Sequence, residues 1–253
     1  MAKNYFFQVC LSGSEESGAV MPETLVAFSK GFQILYPDCR YQFYGDIRAR
    51  QFLEASFSKR FVAAYQKLVP LAYRADFIRY CLVYYFGGWY ADITLKPCYR
   101  YKVPDEIDFL YFYDQGDGLM VGGRSPMDCA NGLFFARKGH PVLASVIASV
   151  LSNCEKEFYG LSSLSPTGPT LFGQTIASHV PNLSIQHGHF VTLTPFHKNR
   201  NRAFVAPDGT ILALHKSAWH QSMPGGGDLS AIGLSQTNNY NKLWRERRVY
   251  RKS

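Results

Sequence analysis

Ionisable residues interrupt one of the most apolar stretches of the chain, between residues 72 and 94. Asp76 and Arg79 are three positions apart, so on a helix they share one face and can pair or bind a ligand together. Tyr90, Asp92 and Thr94 alternate with apolar neighbours, which in a strand would put the polar set on one face. A carboxylate at the exit of a buried strand stands where α/β sheets place their ligand sites.

Each of these residues also has a purely structural interpretation. Asp76 and Arg79 could satisfy one another inside the core, and Asp92 could cap a turn. For any single residue we favour that interpretation. For the cluster we favour a ligand site, because burying two carboxylates and a guanidinium costs on the order of several kcal/mol unless something recovers it.

The elements that must position this cluster follow from hydrophobic periodicity. A buried strand at 5–10, a Ser/Gly-rich loop, a helix at 22–32 and a strand at 41–44 predict a βαβ unit. Two helices are predicted at about 50–68 and 71–86, because Pro70 interrupts the pattern and Gly87-Gly88 ends it. A strand over 89–95 follows at once.

The rest of the chain continues the alternation of strands and helices. We predict strands at 107–113, 118–123 and 132–136, helices at 141–153 and 170–179, a hairpin of 203–206 with 210–215, and a last helix near 238–250. The predicted fold class is therefore α/β, with a mostly parallel central sheet flanked by helices.

Composition excludes several classes of protein. The 253 residues are 47% hydrophobic and 18% charged, which is typical of a globular chain and not of a disordered one. Six cysteines without a C-x-x-C pair argue against zinc ribbons and thioredoxin-like motifs. No glycine motif of the P-loop or Rossmann type is present. With no signal-peptide or membrane-span pattern, we expect a cytoplasmic protein.

The net charge of +8 is concentrated near the end of the chain, at Arg245, Arg247, Arg248, Arg251 and Lys252. A solvated C-terminal helix is the interpretation we favour, because Glu246 interrupts the run. The functional alternative is a peripheral contact with the inner face of an anionic membrane. A nucleic-acid partner is not expected, since no nucleic-acid motif accompanies the charge.

The cluster resembles the sugar-binding region of glycosyltransferase family 32, and it is also similar to the glycosylating domains of large clostridial toxins. The family pattern reads approximately S/A-D-x-x-R-Y-x-x-L-Y-x-x-G-G-x-Y-x-D-x-D. It is matched by Ala75-Asp76, Arg79-Tyr80, Tyr84-Tyr85, Gly87-Gly88, Tyr90 and Asp92. Further matches in the expected order are Tyr36-Pro37-Asp38, 41–44, Phe52-Leu53, 131–141, Thr167-Gly168-Pro169, and His215 with Trp219.

The resemblance implies a GT-A type fold that moves a sugar from a nucleotide-diphosphate-sugar donor to a glycan or polysaccharide acceptor, with retention at the anomeric carbon. The catalytic residues that it implies are Asp76, Arg79, Asp92 and Trp219. The donor-binding residues are Gln8, Gly87, Gly88, Tyr90 and Asn131. A divalent metal, Mn²⁺ or Mg²⁺, would be held by Asp92, Thr94 and His215 and would stabilise the departing diphosphate.

The chain departs from the family at Thr94, where the pattern has a second aspartate. Asp92, Thr94 and His215 could still bind the metal weakly. A cation such as Arg79 could replace it, or the protein could bind sugar nucleotides without turning them over. We favour the first arrangement, because the rest of the motif is present.

Two regions are expected, a catalytic domain over 1–222 and a Gly-rich loop with a basic helix over 223–253. We give equal weight to two interpretations of Gly225–Gly227, a mobile lid over the donor site and a linker to the last helix. Two interpretations remain for three further aspartates, which could contact the acceptor or be ordinary turn residues: Asp114, Asp117 and Asp128.

Overall fold

The computed structural model describes residues 4–13, 21–115, 127–179, 184–193, 201–220, 229 and 239–252. Within them lie nine strands, in chain order β1 (Tyr5–Val9), β2 (Arg40–Tyr44), β3 (Gly88–Ala91), β4 (Lys96–Pro97), β5 (Phe109–Asp114), β6 (Cys129–Ala136), β7 (Ile185–Thr192), β8 (Arg202–Val205) and β9 (Ile211–Leu214). The helices are α1 (Glu23–Leu35), α2 (Asp46–Ser56), α3 (Lys59–Lys67), α4 (Leu71–Phe86), α5 (Pro141–Lys156), α6 (Pro169–His179), α7 (Lys216–Trp219) and α8 (Tyr240–Arg245).

The strands form one mixed sheet in the order β2-β1-β3-β6-β5-β7-β8-β9-β4. Strand β1 lies between β2 and β3 and is parallel to both, as the predicted βαβ unit requires. Strands β5 and β7 are also parallel, whereas β6, β8 and β4 run in the opposite direction. The α/β class with a central sheet flanked by helices is confirmed. Six of the nine strands run in one direction, as the prediction of a mostly parallel sheet requires, although five of the eight neighbouring pairs are antiparallel.

Alternation along β1 places its side chains on two separate cores. Phe6 packs with Phe32 of α1 on one face of the sheet. Phe7 packs on the other face with residues of α4 and α5, such as Phe77 and Val146. The two faces of the sheet are therefore covered by different helices, and α1 lies on the face opposite to α4.

The helix predicted over about 50–68 is wrong in its bounds, because α2 ends at Ser56 and α3 begins at Lys59. Phe57 between them is extended, with φ −136° and ψ 170°. Its ring stacks on Phe61 with centroids 4.4 Å apart and packs edge-on to Phe52 at 5.6 Å. The same ring packs on Tyr85 of α4 with centroids 5.8 Å apart, and this tertiary contact holds Phe57 where the helical periodicity would continue.

The strand predicted over 89–95 is also too long, since β3 ends at Ala91. The Asp92 N–H still donates to the Gly132 carbonyl at 2.7 Å, and the Leu95 N–H then donates to the Asp92 carbonyl at 3.0 Å, which closes a turn. Asp92 therefore stands at the exit of the strand, and Thr94 lies in the turn after it.

The C-terminal segment packs on the rest of the chain. Helix α8 covers only 240–245 of the helix predicted near 238–250. Beyond it, the Val69 N–H donates to the Val249 carbonyl at 2.9 Å and the Arg251 N–H donates to the Lys67 carbonyl at 2.8 Å. Val249 is completely buried. The predicted strand at 118–123, Asp117 and the Gly225–Gly227 loop lie outside the described residues.

No helix in the described part of the chain combines the length and apolarity needed to cross a membrane. All six cysteines are free thiols.

Candidate active site

A cavity of about 510 Å³ opens at the edge of the sheet where β1, β3, β5 and β9 end. This is the edge at which α/β folds place ligands. Predicted site residues that line the cavity are Asp76, Arg79, Tyr90, Asp92, Thr94, Asn131 and His215. Helix α4, strand β6 and the ends of strands β3 and β9 therefore bring together residues that are far apart in the sequence.

The first group on the cavity wall is the Asp76–Arg79 pair on α4. The predicted helical spacing is confirmed, with Arg79 Nη2 3.3 Å from Asp76 Oδ1. Asp76 Oδ1 also accepts from Asn131 Nδ2 at 2.9 Å, and Asp76 Oδ2 accepts from Thr167 Oγ1 at 2.8 Å. Asp76 is thus held by partners from three elements, and only 11% of its side chain is exposed.

Arg79 connects this pair to the end of β3. Its Nη2 lies 3.1 Å from Asp92 Oδ1, and its Nη1 donates to the Asn131 carbonyl at 2.8 Å. The guanidinium carbon lies 4.6 Å from the centre of the Tyr90 ring. One planar cation therefore fixes two carboxylates and the backbone of β6, a geometry that lysine could not reproduce.

Asp92 is the most accessible acid of the cluster. The Tyr90 hydroxyl donates to Asp92 Oδ1 at 2.7 Å, and 34% of the Asp92 side chain is exposed. Its second oxygen lies beside Gly132, where an added Cβ would be 2.7 Å from Oδ2. Asp92 therefore presents a carboxylate to the cavity from a fixed position.

Burial raises the pKa of Asp76 from 3.8 to about 6. Desolvation is the largest cause; the positive charge of Arg79 and the hydrogen bond from Thr167 oppose it, while the charge of Asp92 adds to it. Asp76 thus changes protonation state close to neutral pH, which is a property of functional carboxylates more often than of surface ones.

Gln8 occupies a supporting position, not the donor-contacting one that was predicted. It is completely buried, accepts from the Tyr41 hydroxyl at 2.9 Å, and donates from Nε2 to the Asp92 carbonyl at 3.4 Å. Gln8 therefore holds the turn that carries Asp92.

Gly87 and Gly88 lie at the opposite end of β3 from Asp92, so their predicted contact with the donor requires correction. Both have positive φ, 75° and 117°. An added Cβ on Gly88 would lie 2.2 Å from the Tyr5 carbonyl oxygen, and one on Gly87 would lie 2.7 Å from the Lys138 nitrogen. These glycines allow α4 to turn into β3 between neighbouring backbones.

Trp219, predicted to be catalytic, and His215, predicted to bind the metal, each form a hydrogen bond with the backbone of the chain. Trp219 Nε1 donates to the Thr94 carbonyl at 3.0 Å, and its ring packs edge-on to Phe28 at 5.0 Å. His215 Nδ1 accepts from the Ser217 N–H at 3.2 Å, which leaves the ring proton on Nε2. Burial, the largest cause, and the charges of Lys216 and Arg202 lower the pKa of His215 to about 3, so the ring is neutral.

All three residues of the predicted metal set, Asp92, Thr94 and His215, line the cavity, and their binding of a metal stays a prediction. Asp92 supplies one carboxylate, Thr94 a neutral hydroxyl, and His215 a ring whose Nδ1 already accepts a hydrogen bond. Among the residues that the structure describes, no three His, Cys, Asp or Glu side chains come close enough to hold a metal ion. The protonated Nε2 of His215 suits donation to an anionic ligand.

The sequence interpretation did not identify the opposite wall of the cavity. Arg202, to which the sequence assigned no role in the site, is buried and forms an ion pair with Asp114. Its guanidinium carbon lies 3.7 Å from the centre of the Phe190 ring. The register of the strands could have revealed the Asp114–Arg202 ion pair, because Asp114 of β5 pairs with Phe190 of β7. Asp128 instead accepts from Thr170 at 2.8 Å.

His187 and His189 lie on β7 with ring centres 5.2 Å apart, and neither ring lines the cavity. Among the described residues, no third His, Cys, Asp or Glu joins them in a group that could hold a metal ion.

No protein-family model matches the chain. The chain is 27% identical over 209 residues to inositol phosphoceramide mannosyltransferase 3 of Schizosaccharomyces pombe, an alignment that covers 81% of this chain and 54% of that protein. It is also 21% identical over 224 residues to an uncharacterised glycosyltransferase of Acanthamoeba polyphaga mimivirus, covering 87% of this chain and 84% of that protein. The chain thus spans about half the length of the yeast relative.

Among solved structures, the PaToxG glycosyltransferase is similar in fold, with a TM-score of 0.50 and 18% identity over 71% of this chain and 69% of that one. That similarity is consistent with a GT-A type fold.

Proposed function

We propose that this chain transfers a hexose from a nucleotide-diphosphate-sugar donor to a hydroxyl group of a glycan or polysaccharide acceptor. The observation that carries the proposal is the joining of Asp76 and Asp92 by Arg79 at a cavity beside the strand ends. Two sequence relatives named as a mannosyltransferase and a glycosyltransferase support it.

In this proposal the charged cluster binds the sugar of the donor. Arg79 is balanced by two carboxylates, so the cluster carries one net negative charge when both acids are ionised. Carboxylate oxygens accept hydrogen bonds from sugar hydroxyls, and a fixed acceptor loses little side-chain entropy on binding. Asp92, the most accessible of the three, would make the closest contact.

The diphosphate would lie on the side of the cavity that carries His215 and Lys216. Both residues line the cavity, and Lys216 is 9% exposed. The Nε2–H of His215 can donate to a phosphate oxygen without competing for a proton, since the ring is neutral. No step of the reaction is assigned to a metal, and among the described residues no three His, Cys, Asp or Glu side chains form a metal-binding group. The Mn²⁺ or Mg²⁺ requirement stays a prediction, tested by activity with and without a chelator.

The acceptor would enter against the wall formed by Asp114 and Arg202. Their ion pair crosses β7 above Phe190 and leaves each side chain about one-tenth exposed, at 11% and 10%. Retention at the anomeric carbon is proposed from the family resemblance, and it would be measured by NMR of the product linkage.

A panel of UDP- and GDP-sugars tests the proposal, with thermal shift for binding and sugar release or transfer for turnover. We expect one donor to raise the melting temperature and to be consumed. The Asp92→Asn variant should lose turnover, whereas the matched Asp38→Asn variant should not, because Asp38 lies in an exposed pair with Arg100 and is 61% exposed. A panel without any shift or turnover would contradict the proposal.

A second candidate function follows from Thr94, which replaces the second acid of the family pattern. The chain would then bind sugar nucleotides without transferring the sugar. A donor that stabilises the protein but is not consumed, with and without Mn²⁺, would favour this alternative.

A further inference from the structure

Two large apolar side chains are exposed on the loop that follows α5. Leu161 is 89% exposed and Phe158 is 46% exposed, three positions apart. Clustered apolar exposure of this kind often marks a surface that a partner covers. Neither residue lines the cavity, so the donor site does not account for their exposure.

This loop is fixed against the C-terminal segment. The Tyr250 hydroxyl donates to the Phe158 carbonyl at 2.6 Å, and Trp244 Nε1 donates to the Tyr159 carbonyl at 2.8 Å. The guanidinium carbon of Arg247 lies 4.4 Å from the centre of the Tyr159 ring. Segments some ninety residues apart in sequence therefore form a single surface, which we call the C-terminal surface.

The C-terminal surface is strongly basic. Residues 242–252 carry six Lys or Arg side chains, all exposed, against the single carboxylate of Glu246. Glu155 and Glu157 at the end of α5 pair with Arg60 and Lys67, at 2.6 and 3.0 Å, and so are already balanced. The cations are Lys242, Arg245, Arg247, Arg248, Arg251 and Lys252.

We propose that the C-terminal surface docks on an anionic lipid bilayer, with Phe158 and Leu161 inserted at the interface and the surrounding cations facing the headgroups. Apolar side chains among lysines and arginines are the combination that binds bilayer interfaces. A nucleic acid would use the cations but would give Leu161 no apolar partner.

The C-terminal surface adjoins the mouth of the cavity. Ser163 and Leu164, just beyond the loop, line the cavity, and so do Tyr240 and Asn241 at the start of α8. Resting on the proposed function, this placement would bring a membrane-borne acceptor to the transferase site.

Cosedimentation of the full chain with phosphatidylcholine vesicles, with and without phosphatidylserine, tests the proposal. The wild type should bind the anionic vesicles, less at high salt. Phe158→Ser with Leu161→Ser, and separately Arg248→Glu with Arg251→Glu, should each weaken binding about tenfold or more. The matched controls are Ile34→Ser and Lys30→Glu on α1, since Ile34 is 77% exposed on the helix of the opposite sheet face.

The proposal would be overturned if the wild-type protein stayed in the supernatant while the anionic vesicles sedimented. Vesicle binding that Phe158→Ser with Leu161→Ser leaves unchanged would also overturn it. The same holds if the protein prefers DNA to vesicles and only Arg248→Glu with Arg251→Glu weakens its binding. Each variant should keep its melting temperature and its donor-induced thermal shift. Those two readouts separate a failure of this surface from a failure of the proposed function.

Discussion

The guanidinium of Arg79, on helix α4, lies 3.1 Å from the carboxylate of Asp92, at the exit of strand β3. The helix ends at Phe86 and the strand begins at Gly88, so Gly87 alone joins them. The contact therefore depends on the angle at which the chain leaves the helix. A donor sugar would meet a wall whose charges are already oriented before it binds.

The Arg79→Lys variant tests this orientation. Lysine keeps the positive charge but cannot contact Asp76, Asp92 and the Asn131 carbonyl at once. We expect donor affinity to fall about tenfold or more, since each charge-assisted hydrogen bond contributes about 1.5–3 kcal/mol. Thermal shift against donor concentration measures the change. An unchanged affinity in a stably folded variant would remove Arg79 from the donor site.

The titration of Asp76 should make stability depend on pH. Its pKa is about 6 in the folded protein against an ordinary value of 3.8, so between these pH values the folded state binds more protons than the unfolded state. The contribution of Asp76 to the free energy of unfolding is therefore largest below pH 4 and decreases as pH rises towards about 6.

Denaturant unfolding of the wild type and of Asp76→Asn across this range isolates that contribution. The stability of the wild type relative to the variant should decrease with rising pH and level off above about pH 6. A difference that stays constant from pH 4 to 7 would show that Asp76 has an ordinary pKa.

The Gly132→Ala variant should displace the Asp92 carboxylate without replacing any charged residue. The new Cβ would lie 2.7 Å from Asp92 Oδ2, and the carboxylate cannot retreat without loosening its contacts with Tyr90 and Arg79. We expect lower turnover with a largely retained melting temperature. Wild-type turnover in this variant would show that Asp92 tolerates displacement.

The Gly88→Ala variant should be less stable than the wild type, although Gly88 itself takes no part in donor binding. Its Cβ would meet the Tyr5 carbonyl oxygen at 2.2 Å. Gly139→Ala is the matched control, because Gly139 also has positive φ, 74°, but nothing lies within 4 Å of the added atom. The control should cost about 1 kcal/mol, and Gly88→Ala clearly more. Equal losses would mean that the backbones at Gly88 can separate.

Most of the fold was predictable from periodicity and turn residues. The first βαβ unit, α4 and the β8–β9 hairpin were each predicted within a few residues. The errors lie where packing outweighs local pattern, as at Phe57, whose ring contacts break a helix that the sequence would continue. The end of β3 at Ala91 was missed because a polar–apolar alternation persists through the turn that follows.

The candidate site was predictable only in its local part. Asp76 and Arg79 are close in sequence, so helical spacing alone places them together. Arg202 and Asp114 are 88 positions apart, and their ion pair depends on the register of β5, β7 and β8. The sequence thus determined which chemical groups the chain carries and which helix or strand holds each. The tertiary structure alone decided which of these groups face the cavity and which support it. The reason is that strand pairing and core packing join segments far apart in the sequence, and local periodicity carries no information about such contacts.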